Sequence, residues 1–297
     1  MSASITLLQT AHNSEVIREL GERKSDMFFP VSLRPLNECL TSTGPHGFVD
    51  SNNKWNVVTN DDTGDIIAVH KDKYRLQKNK DVFEAFDAAL ASHNLDLTGL
   101  KVRDELAYNG GRATRTYRMP AHRVDIGDGD PVDLMLKVQN SYDGSRRFGM
   151  NFGAFRILCS NGLVIGNNMC EVKAKHTDGL DIAAVTNHLA NAIDVFIEST
   201  ALWAQWRDTP CPDGIHQNVI ETLPGISEAA KERISAFYDR AQHEHGRNVW
   251  TLYNALTEWS THDEIKESAR INSSAIIQAR ESKVRLALQH PVFQVAA

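Results

Sequence analysis

The sequence predicts an α+β protein, with an antiparallel β-sheet with hairpins and a packed helix in the N-terminal part and a helical C-terminal part. Three observations carry this. Val132, Leu134, Leu136 and Val138 alternate with Asp133, Met135, Lys137 and Gln139, the period of a half-buried strand. The turn signals Asp143-Gly144 and Asn161-Gly162 cut the stretch that follows into lengths that pair as hairpins, with Leu163, Val164 and Ile165 returning onto Ile157 and Leu158. After Asp178 the period lengthens: Ile182, Val185, Leu189, Ile193, Phe196 and Trp203 fall on one stripe of a long helix that Pro210, Pro212 and Gly214 end.

The remaining elements follow in chain order. Asn13 or Ser14 is placed to cap a short helix ending at Gly21, and the proline-rich stretch from Met27 to Gly47 reads as extended and irregular. Trp55–Val58 and Ile66–Val69 read as a first hairpin. Asp81 and Glu84 have the spacing of a capping box for a helix to about His93, with Val82, Phe83, Phe86, Ala89 and Leu90 as its apolar face. Lys101–Tyr108 and Arg112–Met119 form a second hairpin around Asn109-Gly110-Gly111. Its return strand carries Arg112, Thr114, Thr116 and Arg118 on one face and Ala113, Arg115 and Tyr117 on the other, so it is expected near an edge or a cleft. In the next strand the apolar register passes from Phe148, Met150, Phe152 and Ala154 to Phe155, Ile157 and Cys159, which predicts a β-bulge near Gly153. Ser227 opens a helix through Tyr238, Val249 to Trp259 mark another, and Thr261 to Glu264 resemble a capping box for a last helix to about Leu288. The expected division is residues 1–46 as an N-terminal helix and extended arm, 47–177 as the sheet domain and 178–297 as the helical region.

Composition excludes several classes. Of 297 residues 41% are hydrophobic and 24% charged, which is globular composition rather than disordered or fibrous. No apolar run approaches the roughly 18 residues of a membrane span, and the first residues lack a secretory pattern, so a cytoplasmic protein without a membrane partner is expected. Cys39, Cys159, Cys170 and Cys211 show no zinc or disulfide spacing and are expected reduced and mostly buried. The net charge of −6 is unevenly spread: from Lys101 to His176 there are 12 Lys and Arg against 8 Asp and Glu, leaving 20 against 30 elsewhere. A positive sheet in an acidic chain is a candidate polyanion surface.

Other chemistry is weakly signalled. His243-Glu244-His245 has i,i+2 spacing, and in a helix such neighbours diverge by roughly 200° whereas helical zinc sites use i,i+4, so a solvated helix end is expected. Asp125, Asp128, Asp130 and Asp133 sit among glycines and read as a surface turn rather than a calcium loop. No phosphate-cradling glycine motif occurs, and Ser145 and Ser160 have no base beside them. No cofactor or metal site is indicated. Trp203, Trp206, Trp250 and Trp259 read as helix core, and so does Phe148. What remains is a basic and aromatic constellation of Arg112, Arg115, Tyr117, Arg118, Lys137, Arg146, Arg147 and Arg156. It can neutralise phosphates and stack bases of a single strand, or it can form inter-strand ion pairs with Asp133 and Asp143.

Three segments also carry a resemblance. NSYDGSRRFGMNFGAFRILCSNGLVIG is similar to the central motif of the phage- and plasmid-borne proteins grouped as domain of unknown function 932. WNVVTNDDTGDIIAVHKDKYRLQKNKDVFEAFDAAL resembles their N-terminal motif, and NVWTLYNALTEWSTHDEI their C-terminal helical motif. The resemblance implies a mobile-element setting in a bacterial host and no catalytic residues. Together with the basic sheet it gives the expectation of a non-enzymatic protein that binds single-stranded DNA in recombination or replication and forms a homo-oligomer. An assembly factor that binds only protein, and an enzyme whose site is assembled by the fold, are the alternatives.

Overall fold

The computed structural model describes residues 2–22, 25–39, 54–93, 95–127, 129–146, 148–157, 161–164, 171–174 and 192–294. Helix α1 (Ser2–Gly21) begins well before the expected start. Asn13 does not cap it. Its side chain is buried within the helix, donating to the carbonyls of His93 (3.1 Å) and Leu95 (2.6 Å) and accepting from the Leu97 N–H (3.3 Å). A small sheet follows, ordered β1-β2-β3 from Val31–Pro35, Trp55–Asn60 and Ile66–Lys71, all antiparallel. The segment expected to be irregular thus supplies β1, with Pro35 at the end of an edge strand, where a missing donor is tolerated. This sheet also joins residues from both sides of the expected boundary after residue 46.

Helix α2 (Asn79–Ser92) starts earlier than a box at Asp81 would set it, with Lys78 before it and no side-chain cap. A tertiary contact serves instead: the Asn79 N–H donates to the Tyr142 hydroxyl at 2.7 Å, which satisfies one of the helix's orphan donors. Val82, Phe83, Phe86, Ala89 and Leu90 are buried, as their spacing predicts.

The larger sheet is built from β4 (Lys101–Ala107), β5 (Arg112–Asp125), β6 (Pro131–Ser141), β7 (Phe148–Arg156), β8 (Asn161–Val164) and β9 (Glu171–Ala174). Its order is β4-β5-β6-β7-β8, and β9 also pairs with β7; every pairing is antiparallel. The β4–β5 turn is where expected, closed by Gly111 N–H to the Tyr108 carbonyl at 2.9 Å. Three details differ from expectation. β5 lies between β4 and β6, so of the two expected settings for its two-faced arginines the edge is excluded, while Arg118 does line a cleft. The β6–β7 register runs without a break from Val132↔Arg156 to Gln139↔Gly149, so there is no bulge at Gly153. Asn161 and Gly162 lie inside β8 opposite Arg156 and Phe155, and residues 158–160, which precede them, are outside the described residues. The register shift is in β5 instead, between Met119 and Arg123.

The C-terminal part is helical: α3 (Ala192–Asp208), α4 (Ile215–Glu221), α5 (Glu228–His245), α6 (Val249–His262) and α7 (Ser273–Ala287). The apolar stripe over Ile182, Val185 and Leu189 lies outside the described residues, while Phe196 and Trp203 on α3 are buried. Ser227 caps α5 by accepting from the Ala230 N–H. Thr261 to Glu264 do not open the last helix: Thr261 and His262 close α6, and the buried Asp263 after them is held by Arg233 at 2.6 Å. Chain direction resets through a 3₁₀ turn at Glu267–Asn272 before α7 starts.

One hydrophobic core joins the inner face of the large sheet (Tyr117, Leu134, Leu136, Phe152) to α2 on one side and to Trp203, Trp250 and Tyr253 of the C-terminal helices. The outer face of the same sheet receives α7, whose Gln278 donates to Thr114 at 2.6 Å and whose Glu281 pairs with Lys137.

Candidate nucleic-acid interface

Strand parity divides the predicted basic constellation into two populations. Arg115, Tyr117 and Arg156 point to the inner face, and none reaches solvent. Arg115 bridges two carboxylates, Asp87 at 2.8 Å and Asp104 at 2.7 and 2.8 Å. Tyr117 donates to Asp87 at 2.5 Å; burial, then the charge of Asp87, pushes its hydroxyl well above the ordinary range and keeps the donor proton in place. Arg156 grips both oxygens of Asp130, which also accepts from the Trp250 indole at 3.1 Å. Arg115 and Arg156 are committed to buried ion pairs and Tyr117 to a buried hydrogen bond. A charge that has lost its water is held only by partners of opposite sign, and those partners occupy the sites a phosphate would need.

The outer face carries the others. Cross-strand register aligns Lys101, Arg118, Met135 and Gly153 in one row and Arg103, Thr116, Lys137 and Asn151 in the next. The β5 shift brings Arg123 opposite Asp133, so Arg118 (2.6 Å) and Arg123 (2.7 Å) share one fully buried carboxylate. Bulges re-aim side chains in this way. The Arg118 guanidinium lies 4.0 Å over the ring of Phe155. Where the end of α6 and the middle of α7 approach this face, they enclose a groove of about 350 Å³ lined by Lys101, Val102, Arg103, Glu105, Thr116, Arg118, Met135, Lys137, Phe155, Thr261, His262 and Ile277. Charge counting gives its sign. Arg103 pairs with Glu105 at 3.1 Å and Lys137 with Glu281, two neutral pairs. Asp133 balances only one of its two arginines, and Lys101 has no carboxylate partner among the described residues. Counting Arg123, which shares Asp133 with Arg118 but stands outside the lining, the groove and its border carry an excess of about two positive charges on pairwise counting of this kind.

A second group lies at the far end of β5, beyond α7. Arg112 binds Asp143 at 2.9 Å and lies 4.1 Å over Tyr108, whose left-handed φ of 54° is a conformation a tyrosine rarely adopts. Arg146 is half-buried beside it; burial, then the like charge of Arg112, lowers its pKa from the ordinary value. Arg147 lies outside the described residues.

The other candidates resolve differently. Asp130 and Asp133 are buried ion-pair partners rather than surface-turn residues, Asp125 makes the expected turn by accepting from the N–H groups of Gly127 and Asp130, and Asp128 lies outside the described residues. His243 and His245 end α5, and no group of metal-binding side chains occurs among the described residues. Cys211 is buried and Cys39 partly so. No helix among the described residues is long and apolar enough to cross a membrane. A larger cavity, about 560 Å³ near α1 and α2, is lined by Glu22, Asp26, Asp62, Glu84 and Asp87 against Lys80 and Arg115. Its carboxylates repel a phosphate, so size does not choose the site; sign does. The basic constellation legible in the sequence contains Arg118 and Lys137 but not Lys101, Arg103 and Phe155. The β4 alternation of Lys101, Arg103 and Glu105 held the missing signal once its pairing with β5 is known.

Asp133 gives this face a pH dependence. Burial raises its carboxyl, but the hydrogen bonds and the positive charges of Arg123 and Arg118 together outweigh burial and leave it below the ordinary value, about 3.9 for an aspartate. A depressed folded-state pKa supplies stability above that value and loses it as pH falls through the folded-state range. The urea midpoint is expected to fall between pH 6 and pH 3, and less steeply in Asp133→Asn; equal slopes in the two proteins would reject the assignment.

A family model described as a domain of unknown function (DUF932) matches residues 67–287. No solved structure matches the chain.

Proposed function

We propose that this chain, which belongs to the DUF932 family, binds single-stranded DNA in the groove between the outer face of its large sheet and α6–α7, acting without catalysis in recombination or replication of a mobile element. The observation that carries the reading is the coexistence, in one groove, of an unneutralised positive charge and a partly buried aromatic ring under an arginine. Phosphates explain the charge and a single strand explains the ring, because a paired base hides its faces. The size agrees: about 350 Å³ is at the low end of the roughly 300–1,000 Å³ of small-ligand pockets, so the groove holds one nucleotide-sized unit and not a duplex. The resemblance to phage- and plasmid-borne proteins supports the setting.

The test is binding of a 20-nucleotide single strand and its duplex across a series of salt concentrations. Single-strand binding is expected to weaken with salt, with a slope of log K that reports phosphate contacts. Lys101→Ala combined with Arg103→Ala should flatten that slope by about 1.4, roughly 0.7 for each lost contact. Both residues are exposed, so the melting midpoint is expected to stay with the parent. A double variant that keeps the parent's affinity and slope would reject the groove as the binding surface.

A further inference from the structure

The groove has a feature that phosphate binding leaves unused. Resting on the proposed single-strand reading, we infer that it is a base-binding subsite, in which a nucleobase stacks on the Arg118 guanidinium while the phosphates on either side meet Lys101 and Arg103.

Three observations place the base there. First, the lining mixes its cations with Val102, Met135, Phe155 and Ile277. A phosphate keeps its water and gains nothing from an apolar floor, whereas a base has two large faces to remove from water. Second, Arg118 is fixed in plane. Its Nε donates to Asp133 at 2.6 Å and its Cζ lies over the Phe155 ring, 4.0 Å from the ring centre, while it still lines the groove. A planar cation already stacked on one side offers its other side at little cost in side-chain entropy, the advantage arginine has over lysine for stacking. The guanidinium is then the middle layer between Phe155 and the incoming base. Third, Thr116 and Thr261 line the same space; the Thr261 hydroxyl donates to the Thr257 carbonyl at 2.8 Å and so can only accept from a base edge, whereas a threonine hydroxyl such as that of Thr116 can do either. Nothing here matches one base's donor pattern, and every base has a π-face, so the subsite takes a nucleobase without strong sequence preference.

The experiment compares an oligothymidylate with a chain of the same length and phosphate number made only of abasic deoxyribose units, at one fixed salt, using the unmodified protein. Stacking predicts that the abasic chain binds about 5- to 150-fold more weakly, the span that one lost base–aromatic contact covers, with an unchanged salt slope. Phe155→Leu, which keeps the apolar volume but removes the ring, is expected to weaken oligothymidylate binding and leave abasic binding at the parent's level, its folding checked by the melting midpoint. Equal binding of the two chains by the parent would overturn the subsite and leave the phosphate-binding groove standing. Binding of neither chain would reject the single-strand reading itself, and the subsite with it. Because the first comparison needs no variant, a Phe155→Leu protein that fails to fold does not remove the test.

Discussion

Arg115→Ala is expected to destabilise the fold by about 3–5 kcal/mol, the cost of breaking a buried ion pair by removing one partner. The side chain is 3% exposed and neutralises Asp87, itself 8% exposed, together with Asp104 at 23%. Truncation leaves two carboxylates facing each other under α2, with the Tyr117 hydroxyl and Ser25 as their remaining partners. The aromatic faces that approach the guanidinium, Phe28 at 5.1 Å and Phe83 at 5.4 Å, lose a cation as well. Arg115→Lys is expected to recover only part of the loss. A single ammonium cannot meet Asp87 and both oxygens of Asp104 in the flat fork a guanidinium provides. Urea unfolding measures both variants, and adding Asp87→Ala to Arg115→Ala should cost less than the sum of the single changes, because the second change removes a charge the first one stranded. A cost for Arg115→Ala within 0.5 kcal/mol of zero, the range of ordinary surface substitutions, would show that the inner-face assignment is wrong.

Arginine parity was the hardest thing to read from this sequence. Alternation located β4 to β7 and their hairpins because apolar side chains report their face directly: Val132, Leu134, Leu136 and Val138 have one stable side. A guanidinium does not report its face. It is exposed when alone and buried when two carboxylates from other parts of the chain meet it, and Asp87 and Asp104 belong to α2 and β4, separate in sequence from Arg115. The same difficulty produced the expected bulge. Arg156 sits at an inward position, so a strict alternation ending in arginine looked like a slip of register toward Phe155, whereas the strand is regular and Phe155 is its outward residue. Turn chemistry misled in the same stretch, since Asn161-Gly162 has the composition of a tight turn and yet pairs with Arg156 and Phe155 within β8. The groove needed tertiary information throughout. Ile277 and Thr261 come from helices more than a hundred residues away from the strands they face, and no local period encodes that meeting.

Phe155 and Arg156 are neighbours in sequence on opposite faces of β7, and they are expected to fail in opposite ways. Arg156 is 2% exposed; its Nε lies 2.8 and 2.9 Å from the two oxygens of Asp130 and a terminal nitrogen lies 2.7 Å from one of them. The Trp250 indole donates to the same carboxylate and lies beneath the guanidinium, 5.7 Å from ring centre to Cζ. One ion pair thereby ties β7 and the β5–β6 turn to α6. Arg156→Ala removes the only countercharge that Asp130 is shown to have among the described residues, and a loss of about 3–5 kcal/mol follows from the stranded carboxylate. Against a total stability of typically 5–15 kcal/mol, that is enough to lower the melting midpoint by many degrees or to leave a partly unfolded population. Since the pair is buried, the loss should be nearly the same at low and high salt, whereas an exposed pair such as Arg103 with Glu105 is screened. Trp250→Phe, which keeps an aromatic ring but removes the indole donor and part of the buried bicycle, should cost about 1.5–3 kcal/mol for the lost hydrogen bond to a charged group, with a cavity cost added to it. Protein that remains folded in either variant should bind oligothymidylate with the parent's affinity, because neither side chain reaches the groove. Thermal melts at two salt concentrations, with binding measured below the melting range, separate the two faces of the strand. An Arg156→Ala protein that melts with the parent and has lost binding would place this arginine on the wrong face and remove the division between inner ion pairs and outer groove.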